Sequence, residues 1–213
     1  MLIKRFPISN GMKTIVGVDE VGRGPLAGPV SVCVVSCDAE IYKNLISNRQ
    51  LPASGKDSKK LSVGERERYF KILRLLSHEG KISYSINHIS NKTIDFRGLS
   101  FAIKKAIALS VKKLKLNPKN CEVLLDGGLK VSKEFKNQKT IIKGDEREKI
   151  IAWASILAKV SRDNLMYKAH KKYPNYGFEM HKGYGTKLHK KTILKYGLSP
   201  FHRRSFSHID VIR

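Results

Sequence analysis

Four of the 18 acidic residues in this chain lie where short strand-like segments end, each beside a glycine. Asp19 and Glu20 follow one apolar run, Asp126 follows a second, and Asp145 follows a third. Carboxylate oxygens are preferred ligands of Mg²⁺ and Mn²⁺, and two such ions can support the hydrolysis of a phosphodiester. Taken singly, each acid is more typical of a turn or a helix cap, so only a gathering of all four would indicate a metal site.

Asp19 and Glu20 raise a geometric difficulty because they are adjacent in the chain. Adjacent residues of a strand point to opposite faces of the sheet. The two carboxylates can therefore reach one site only if the strand kinks or ends there. The run Gly22-Arg23-Gly24-Pro25 favours such an ending.

The surrounding segments predict an α/β domain with a mixed central sheet flanked by helices, followed by a helical C-terminal extension. Strands are predicted at 15–18, 30–36, 82–89, 123–125 and 140–142, and helices at 61–76, 94–114 and 148–169. The first two strands should form an antiparallel hairpin, and the alternation in 82–89 predicts a half-exposed strand. Ser62 and Glu65 have capping-box spacing. The apolar start of the last helix predicts burial against the sheet.

Charge and composition narrow the classes of protein. The chain has 42 Lys and Arg against 18 Asp and Glu, a formal net charge of +24, which indicates a polyanionic partner such as nucleic acid. Residues 149–213 alone hold 14 of the cations and 3 of the anions. The 41% hydrophobic content excludes a disordered chain. We find no apolar stretch of membrane-spanning length and no signal peptide.

The cysteines point to a reducing compartment, and we expect a cytoplasmic protein. Cys33 and Cys37 lie in one strand-like run, too far apart for a disulfide, and Cys121 is remote in sequence. The spacing of Cys and His does not suggest zinc. Because no feature indicates an obligate partner subunit, we expect a monomer.

Seven motifs, in order along the chain, resemble those of the type 2 ribonucleases H (ribonuclease HII). They are VDEVGRGPLAGPV (18–30), DSKKL (57–61), LDG (125–127), KGD (143–145), ASILAKV (154–160), HKGYGT (181–186) and SPFHRRSF (199–206). One departure is Trp153, where this family usually has a small residue, and we expect local repacking there. All four carboxylates match the family pattern.

The resemblance implies a ribonuclease-H-like fold and a hydrolase that cuts the RNA strand of RNA–DNA hybrids. It also implies cutting 5′ of ribonucleotides embedded in duplex DNA, with 3′-hydroxyl and 5′-phosphate products. Asp19, Glu20, Asp126 and Asp145 would be the catalytic and metal-binding residues, holding Mg²⁺ or Mn²⁺ as two ions per site. On this interpretation residues 1–170 form the catalytic domain. Residues 171–213 form a basic helical region that packs on it and contacts nucleic acid.

Substrate-binding residues are implied in the same way. The backbone of Gly22, Arg23 and Gly24 would contact the 2′-hydroxyl, the group that distinguishes RNA from DNA, and Tyr184 would stack on the next sugar. Ser58 and Lys59 would contact phosphate.

Several side chains have two interpretations. For Arg23, Arg203 and Arg204, contact with the nucleic-acid backbone and a structural role remain open. The packing role is favoured for Ser155, Lys159, Tyr176, Phe178 and His181. Two alternatives to the main prediction also remain: a non-catalytic basic RNA-binding protein, and the sister type 3 ribonuclease H. The short segment before the first strand disfavours the type 3 family.

Overall fold

A five-stranded mixed sheet forms the centre of the molecule. The computed structural model describes residues 13–47, 51 and 61–207. Its strands are β1 (Thr14–Val21), β2 (Val30–Asp38), β3 (Ser83–Ile89), β4 (Cys121–Asp126) and β5 (Gln138–Ile141). The strand order is β3-β2-β1-β4-β5, with β1–β2 and β2–β3 antiparallel and β1–β4 and β4–β5 parallel. The predicted hairpin and mixed sheet are confirmed.

Helices cover both faces of this sheet. In the described ranges they are α1 (Ala39–Ile46), α2 (Val63–His78), α3 (Asn91–Arg97), α4 (Leu99–Lys113), α5 (Gly144–Arg147), α6 (Lys149–Lys172), α7 (Phe178–His181) and α8 (Lys187–Tyr196). Short 3₁₀ turns lie at Pro174–Tyr176 and Arg204–Phe206. The capping box of α2 is confirmed: Ser62 Oγ accepts the Glu65 N–H at 3.2 Å, and Glu65 Oε2 accepts the Ser62 N–H at 2.9 Å.

Two hydrophobic layers hold the helices to the sheet. One joins α1, α2 and α6 to the face that carries Ile15 and Cys33, and the other joins α4 to the face that carries Val16 and Val18. The first half of α6 is buried, as predicted. It lies so close to β1 that a Cβ on Gly17 would be 2.4 Å from the carbonyl oxygen of Ile150. This close approach fixes α6 over the end of β1.

The predicted helix over 94–114 is two helices. They meet at Gly98, whose φ of 81° and ψ of 159° end α3 and begin α4. This backbone conformation is essentially restricted to glycine. The apolar spacing continues across the break, so it could not reveal the change of direction.

The polar face of β3 is only partly exposed to solvent. Ser83 is exposed, but Ser85 is buried, and Asn87 Nδ2 donates to Ser110 Oγ of α4 at 2.8 Å. The prediction of a half-exposed strand is therefore confirmed only in part. Polar residues facing α4 are satisfied by side-chain hydrogen bonds, which periodicity alone cannot distinguish from exposure to water.

The C-terminal elements pack on the second half of α6. A small cluster joins Ala27 and Met166 to Tyr176, Phe178 and Ile193. Beside it lie three histidine rings: those of His181 and His189 are stacked with centroids 4.2 Å apart, and Nε2 of His189 lies 3.0 Å from Nε2 of a tilted His202 ring. The segments before and after α8 also contact the loop between β1 and β2, because Leu26 N–H donates to the Gly183 carbonyl and Gly28 N–H to the Phe201 carbonyl.

Trp153 lies fully buried in α6, with its ring edge-on to Tyr42 at a centroid distance of 5.6 Å. Its indole Nε1 has no hydrogen-bond partner among the described residues. Space for the large ring is supplied by α1 and its neighbours in the core. Cys33, Cys37 and Cys121 are buried free thiols, as the spacing predicted.

Candidate active site

One cleft, of about 450 Å³, lies at the edge of the sheet where the parallel strands β1, β4 and β5 end. Asp19, Glu20, Asp126 and Asp145 all line it. Ligand sites of α/β sheets lie at the carboxyl ends of strands, and particularly where the strand order changes direction. The structure thus brings the four predicted carboxylates to one place.

The first strand does not end at Asp19, as the sequence had suggested. It continues to Val21, but its pairing with β4 stops at Val18, while the pairing with β2 runs on to Val21. Beyond Val18 the strand therefore has no paired neighbour on the β4 side. This opening lets adjacent carboxylates of a continuous strand, Asp19 and Glu20, line the same cleft.

Asp19 is the most deeply buried carboxylate of the cleft, with 5% of its surface exposed. Its Oδ1 accepts the N–H of Glu20 at 2.7 Å, and Ser155 of α6 donates a hydrogen bond to it. Burial raises the pKa of Asp19 well above its usual value, and the charges of Glu20, Asp126 and Asp145 raise it further. Ser155 opposes this shift. An ionised Asp19 is therefore costly unless a cation is near.

Glu20 is held by Arg23, whose Nη1 lies 3.0 Å from Glu20 Oε1. The other carboxylate oxygen, Oε2, is buried and has no hydrogen-bond partner among the described residues. Burial raises the pKa of Glu20, and the ion pair with Arg23 opposes that rise. A buried carboxylate oxygen without a partner is uncommon and needs an explanation.

Asp126 and Asp145 are joined through one turn. Asp126 ends β4, and its Oδ1 accepts the N–H of Gly144 at 2.6 Å. Asp145 follows in α5, a four-residue helix, where it is buried. Asp145 lies outside the long helix, which was predicted to begin at 148, because Glu148 adopts an extended conformation and separates α5 from α6. The separate short helix turns Asp145 into the cleft.

The chemistry of this site fits a divalent cation. Four carboxylates supply hard oxygen ligands, the mutual repulsion raises the pKa of Asp19, and Glu20 Oε2 lacks a partner. Within the described ranges, however, no three Asp, Glu, His or Cys side chains are grouped closely enough to bind an ion as they stand. Arg23 and Gly144 hold Glu20 and Asp126 in their present positions.

Basic side chains form another part of the cleft lining: Arg23, Arg66 and Lys159. Lys159 pairs with Asp163 at 2.8 Å, and burial lowers the pKa of its ammonium group. The packing role favoured for Ser155 and Lys159 was therefore incomplete, because both residues line the cleft. Their spacing of one helical turn was the available signal. Arg66 was missed, since nothing in the sequence of α2 distinguishes it from the other exposed cations there.

The two segments predicted to recognise the ribonucleotide also reach the cleft. Gly22, Arg23 and Gly24 line one side, and Tyr184, with 42% of its surface exposed, lines another. Ser58 and Lys59 lie outside the described residues.

His181 is a packing residue, as favoured from the sequence. Its Nε2 donates to the carbonyl of Tyr176 at 2.7 Å, and its Nδ1 accepts the N–H of Gly183 at 3.2 Å. Both ring nitrogens are thus engaged by backbone, and neither is available for proton transfer. Tyr176 and Phe178 are buried and stacked on one another.

Comparison with known proteins identifies the family. A family model described as Ribonuclease HII matches residues 16–209. A Ribonuclease HII of Endomicrobium trichonymphae is 41% identical over 204 residues, covering 96% of this chain and 90% of the relative. One of Acetivibrio thermocellus is 40% identical over 197 residues, covering 92% and 71%. The chain belongs to the ribonuclease HII family.

Solved structures agree with this membership of the ribonuclease HII family. Ribonuclease H2 from Pyrococcus horikoshii OT3 superposes with a TM-score of 0.71 at 26% identity, over 93% of this chain and 96% of that one. A Bst ribonuclease HIII in complex with Mn²⁺ has a TM-score of 0.64 at 18% identity, covering 95% and 70%, a likeness of fold alone. The ribonuclease-H-like fold is confirmed.

Membership of the ribonuclease HII family also confirms the predicted activity class. The protein is a ribonuclease H endonuclease, of a family that acts on RNA–DNA hybrids. The alternative of a non-catalytic RNA-binding protein is not supported, and neither is the type 3 family, since the relatives at about 40% identity are type 2 enzymes. In the ranges that the structure describes, no helix is long and apolar enough to cross a membrane.

Proposed function

We propose that this ribonuclease H hydrolyses the RNA strand of RNA–DNA hybrids and cuts on the 5′ side of ribonucleotides embedded in duplex DNA. The scissile phosphodiester bond lies between the 3′ oxygen of the preceding nucleotide and the phosphorus attached to the ribonucleotide. Water adds to the phosphorus as that 3′ oxygen leaves. The products carry a 3′-hydroxyl and a 5′-phosphate.

The observation that carries this proposal is the convergence of four carboxylates beside the two recognition segments. Asp19 and Glu20 come from β1, Asp126 from the end of β4 and Asp145 from α5, and the same cleft is lined by Gly22–Gly24 and Tyr184. In a chain of formal net charge +24, acids gathered in one cleft need a cation to offset their repulsion.

The four carboxylates are the proposed ligands of Mg²⁺ or Mn²⁺, with two ions per site. Bound ions of this kind lower the pKa of water and stabilise the leaving oxygen of a phosphodiester. The Mn²⁺ complex of a ribonuclease HIII with this fold supports the same class of metal here. Ser155 would keep Asp19 oriented through its hydrogen bond, and Arg23 would exchange Glu20 for a phosphate when substrate binds.

Recognition of the ribonucleotide is assigned to the two segments. The backbone of Gly22, Arg23 and Gly24 contacts the 2′-hydroxyl, and Tyr184 stacks on the adjoining sugar. Arg66 and Lys159 stand at the opposite part of the cleft lining, where they can bind phosphates of the substrate. Ser58 and Lys59 are proposed to contact phosphate as well.

We also propose that the chain has two functional regions. Residues 1–170 form the catalytic domain, and residues 171–213 form a basic region that packs on it and binds nucleic acid. In support, α7 and the turn Pro174–Tyr176 pack on α6, and α8 packs on that turn. Lys187, Lys190, Lys191 and Lys195 of α8 are exposed.

Cleavage of a duplex containing one ribonucleotide tests the catalytic assignment. Asp19→Asn and Asp126→Asn should each lower kcat by at least about a hundredfold, because each removes a charged ligand from the site. Glu134→Gln, an exposed acid outside the cleft, is the matched control and should behave as the wild type. The cleavage position is mapped on labelled strands, with Mg²⁺, with Mn²⁺ and with chelator.

Wild-type turnover by Asp19→Asn or Asp126→Asn would refute the assignment. So would cleavage that persists in chelator, since the carboxylates would then have another purpose. Cutting on the 3′ side of the ribonucleotide would leave the family activity intact but contradict the proposed position of attack.

A further inference from the structure

Two arginines are fully buried beneath the recognition segments, Arg162 in α6 and Arg203 just before the last 3₁₀ turn. In the described part of the chain all their hydrogen bonds go to main-chain carbonyls, and neither forms an ion pair with a carboxylate. Burying a guanidinium without an acid is costly. Such an arrangement persists only where the charge serves to hold something else in place.

Arg203 holds the loop that carries the Gly22–Gly24 segment. Its Nη2 donates to the carbonyl of Gly22 at 2.6 Å, its Nη1 to that of Arg23 at 2.8 Å, and its Nε to that of Gly28 at 2.9 Å. One planar side chain thus spans both ends of the loop. A lysine could reach only one of these carbonyls well, because its ammonium group is a single point.

Arg162 joins that loop to the segment that carries Tyr184. Its Nε donates to the carbonyl of Pro29 at 3.0 Å, its Nη2 to Ala27 at 3.3 Å, and its Nη1 to Lys182 at 3.0 Å. The guanidinium carbon lies 6.0 Å from the centroid of the Tyr184 ring. The two recognition segments are therefore fixed relative to one another through this side chain.

Direct backbone contacts reinforce the junction between the segments. The N–H of Leu26 donates to the carbonyl of Gly183 at 2.8 Å, and a Cβ on Gly183 would lie 2.5 Å from the carbonyl oxygen of Ala27. The loop and the Tyr184 segment consequently touch with no side chain between them.

The carbonyl contacts determine where the loop donors point. In a trans peptide the N–H points opposite to the carbonyl of the same peptide unit, and the described chain contains no cis peptide. Because the Gly22 and Arg23 carbonyls face Arg203, the N–H groups of Arg23 and Gly24 face away from it. Both residues are exposed and line the cleft. Arg203 therefore aims two donors at the place where substrate binds.

The two guanidinium groups remain charged despite their burial. The pKa of Arg203 is lowered to about 9, chiefly by burial and also by the neighbouring charge of Arg162, while Asp95 and Tyr184 act in the opposite sense. The ring of Phe206 lies 5.0 Å from the Arg203 guanidinium and covers it. Both side chains are thus cationic at neutral pH and stabilise carbonyls that would otherwise be buried without donors.

We infer that Arg162 and Arg203 are positioning residues that set the backbone donors of the Gly22–Gly24 segment, and the Tyr184 segment, for recognition of the ribonucleotide. This inference rests on the proposed function, because it presumes that these segments bind the 2′-hydroxyl. Neither arginine contacts the substrate. Replacing either arginine should reduce the preference for a ribonucleotide and leave the affinity for duplex DNA nearly unchanged.

Equilibrium binding in the Asp19→Asn background, with Mg²⁺ present, isolates this preference from cleavage. Two duplexes of the same sequence are compared, one with a single ribonucleotide and one of DNA alone. Arg203→Lys keeps the charge and should reduce the ratio of the two affinities by about tenfold, since misplaced donors lose a hydrogen bond to the 2′-hydroxyl. The affinity for the DNA duplex should stay within about twofold, as expected when phosphate contacts are retained.

Arg74→Lys, the same exchange on an exposed part of α2, is the control and should preserve both affinities. An unchanged ratio in Arg203→Lys, or an equal loss for both duplexes, would overturn the inference, since the second result means general damage. If Arg203→Lys does not fold, Arg162→Lys carries the same expectation and the same refutation. A background protein that shows no preference for the ribonucleotide would instead refute the proposed recognition itself.

Discussion

Asp19 lies where its ionisation is costly to the fold, although its proposed role as a metal ligand requires the ionised form. Its pKa is raised, first by burial and then by the charges of three other carboxylates. A group whose pKa is raised on folding stabilises the protein below its unfolded pKa, and this contribution is lost as the pH rises through the folded pKa. At neutral pH and without metal, Asp19 therefore destabilises the protein.

We predict that Asp19→Asn is more stable than the wild type in chelator at pH 7, by roughly 1 kcal/mol or more, in the range of other stabilising substitutions. Asparagine keeps an oxygen that can accept the Glu20 N–H and the Ser155 hydroxyl, but it carries no charge. Denaturant unfolding at pH 7 and pH 5 measures the difference, which should shrink at the lower pH. A variant less stable than the wild type at pH 7 would contradict this interpretation of the raised pKa.

In the presence of metal, we expect the wild type to become more stable than Asp19→Asn. Ion binding stabilises the folded state by mass action, so Mg²⁺ or Mn²⁺ should raise the Tm of the wild type more than that of Asp19→Asn.

Among single residues, the carboxylates were predictable and their surroundings were not. Asp126 could be found because strand endings are visible in the sequence, and parallel strands end at one edge. Ser155 and Lys159 belong to a helix that meets the cleft only because Gly17 lets α6 approach β1. The buried hydrogen bonds of Arg203 depend on a chain segment 180 residues away, which no local pattern contains.

At the scale of elements, local signals were accurate where capping and hydrophobic spacing determine structure. Ser62 begins α2 as its capping box indicates, and the all-apolar start of α6 lies in the core. One break escaped prediction, because Gly98 divides α3 from α4 through a backbone angle within a continuous helical pattern. The short helix α5 was not predicted either, although the long helix was predicted to begin at 148, next to its observed start at Lys149. The break at Glu148 matters for function, since it frees Asp145 to face the cleft.

The cluster of His181, His189 and His202 connects α8 and the last 3₁₀ turn to the Tyr184 segment. His189 Nδ1 lies 2.9 Å from the carbonyl of Tyr184, and His202 Nδ1 accepts the N–H of Ser199 at 2.9 Å. The pKa of His189 and of His202 is lowered to about 4, chiefly by burial and also by the nearby His181, while backbone hydrogen bonds oppose the shift. The cluster is therefore neutral at physiological pH.

Acid should weaken this attachment between pH 6.5 and pH 4. Histidines of the unfolded chain bind protons near pH 6.5, whereas His189 and His202 of the folded protein bind them only near pH 4. The free energy of unfolding therefore decreases as the pH falls from about 6.5 to about 4. We expect a loss of about 2 kcal/mol per histidine between pH 7 and pH 5. Urea unfolding measures it, and His189→Gln should show about half the loss attributable to the pair. An equal acid loss in both proteins would contradict the assignment.

The whole molecule combines a large positive charge with a small acidic cleft. The formal net charge of +24 attracts any polyanion and carries no sequence or sugar information. In the proposed function, selectivity for RNA comes from the recognition segments and hydrolysis from the carboxylates. The positive charge increases the rate of encounter with nucleic acid and the affinity for it. Raising the salt concentration from about 50 to about 200 mM should therefore weaken binding to duplex by roughly two orders of magnitude or more.

The exposed lysines of α8 should account for part of that salt dependence. This helix begins three residues after Tyr184, and Lys187 and Lys191 lie one turn apart on its solvent side. Replacing both by alanine should weaken duplex binding and lower the slope of log affinity against log salt by up to about 2, close to one unit per lost phosphate contact. Lys112→Ala with Lys113→Ala, at the far end of α4, removes the same charge and should leave the slope nearly unchanged. Equal effects of the two double variants would mean that net charge alone drives binding, and the proposed role of residues 171–213 would then fail.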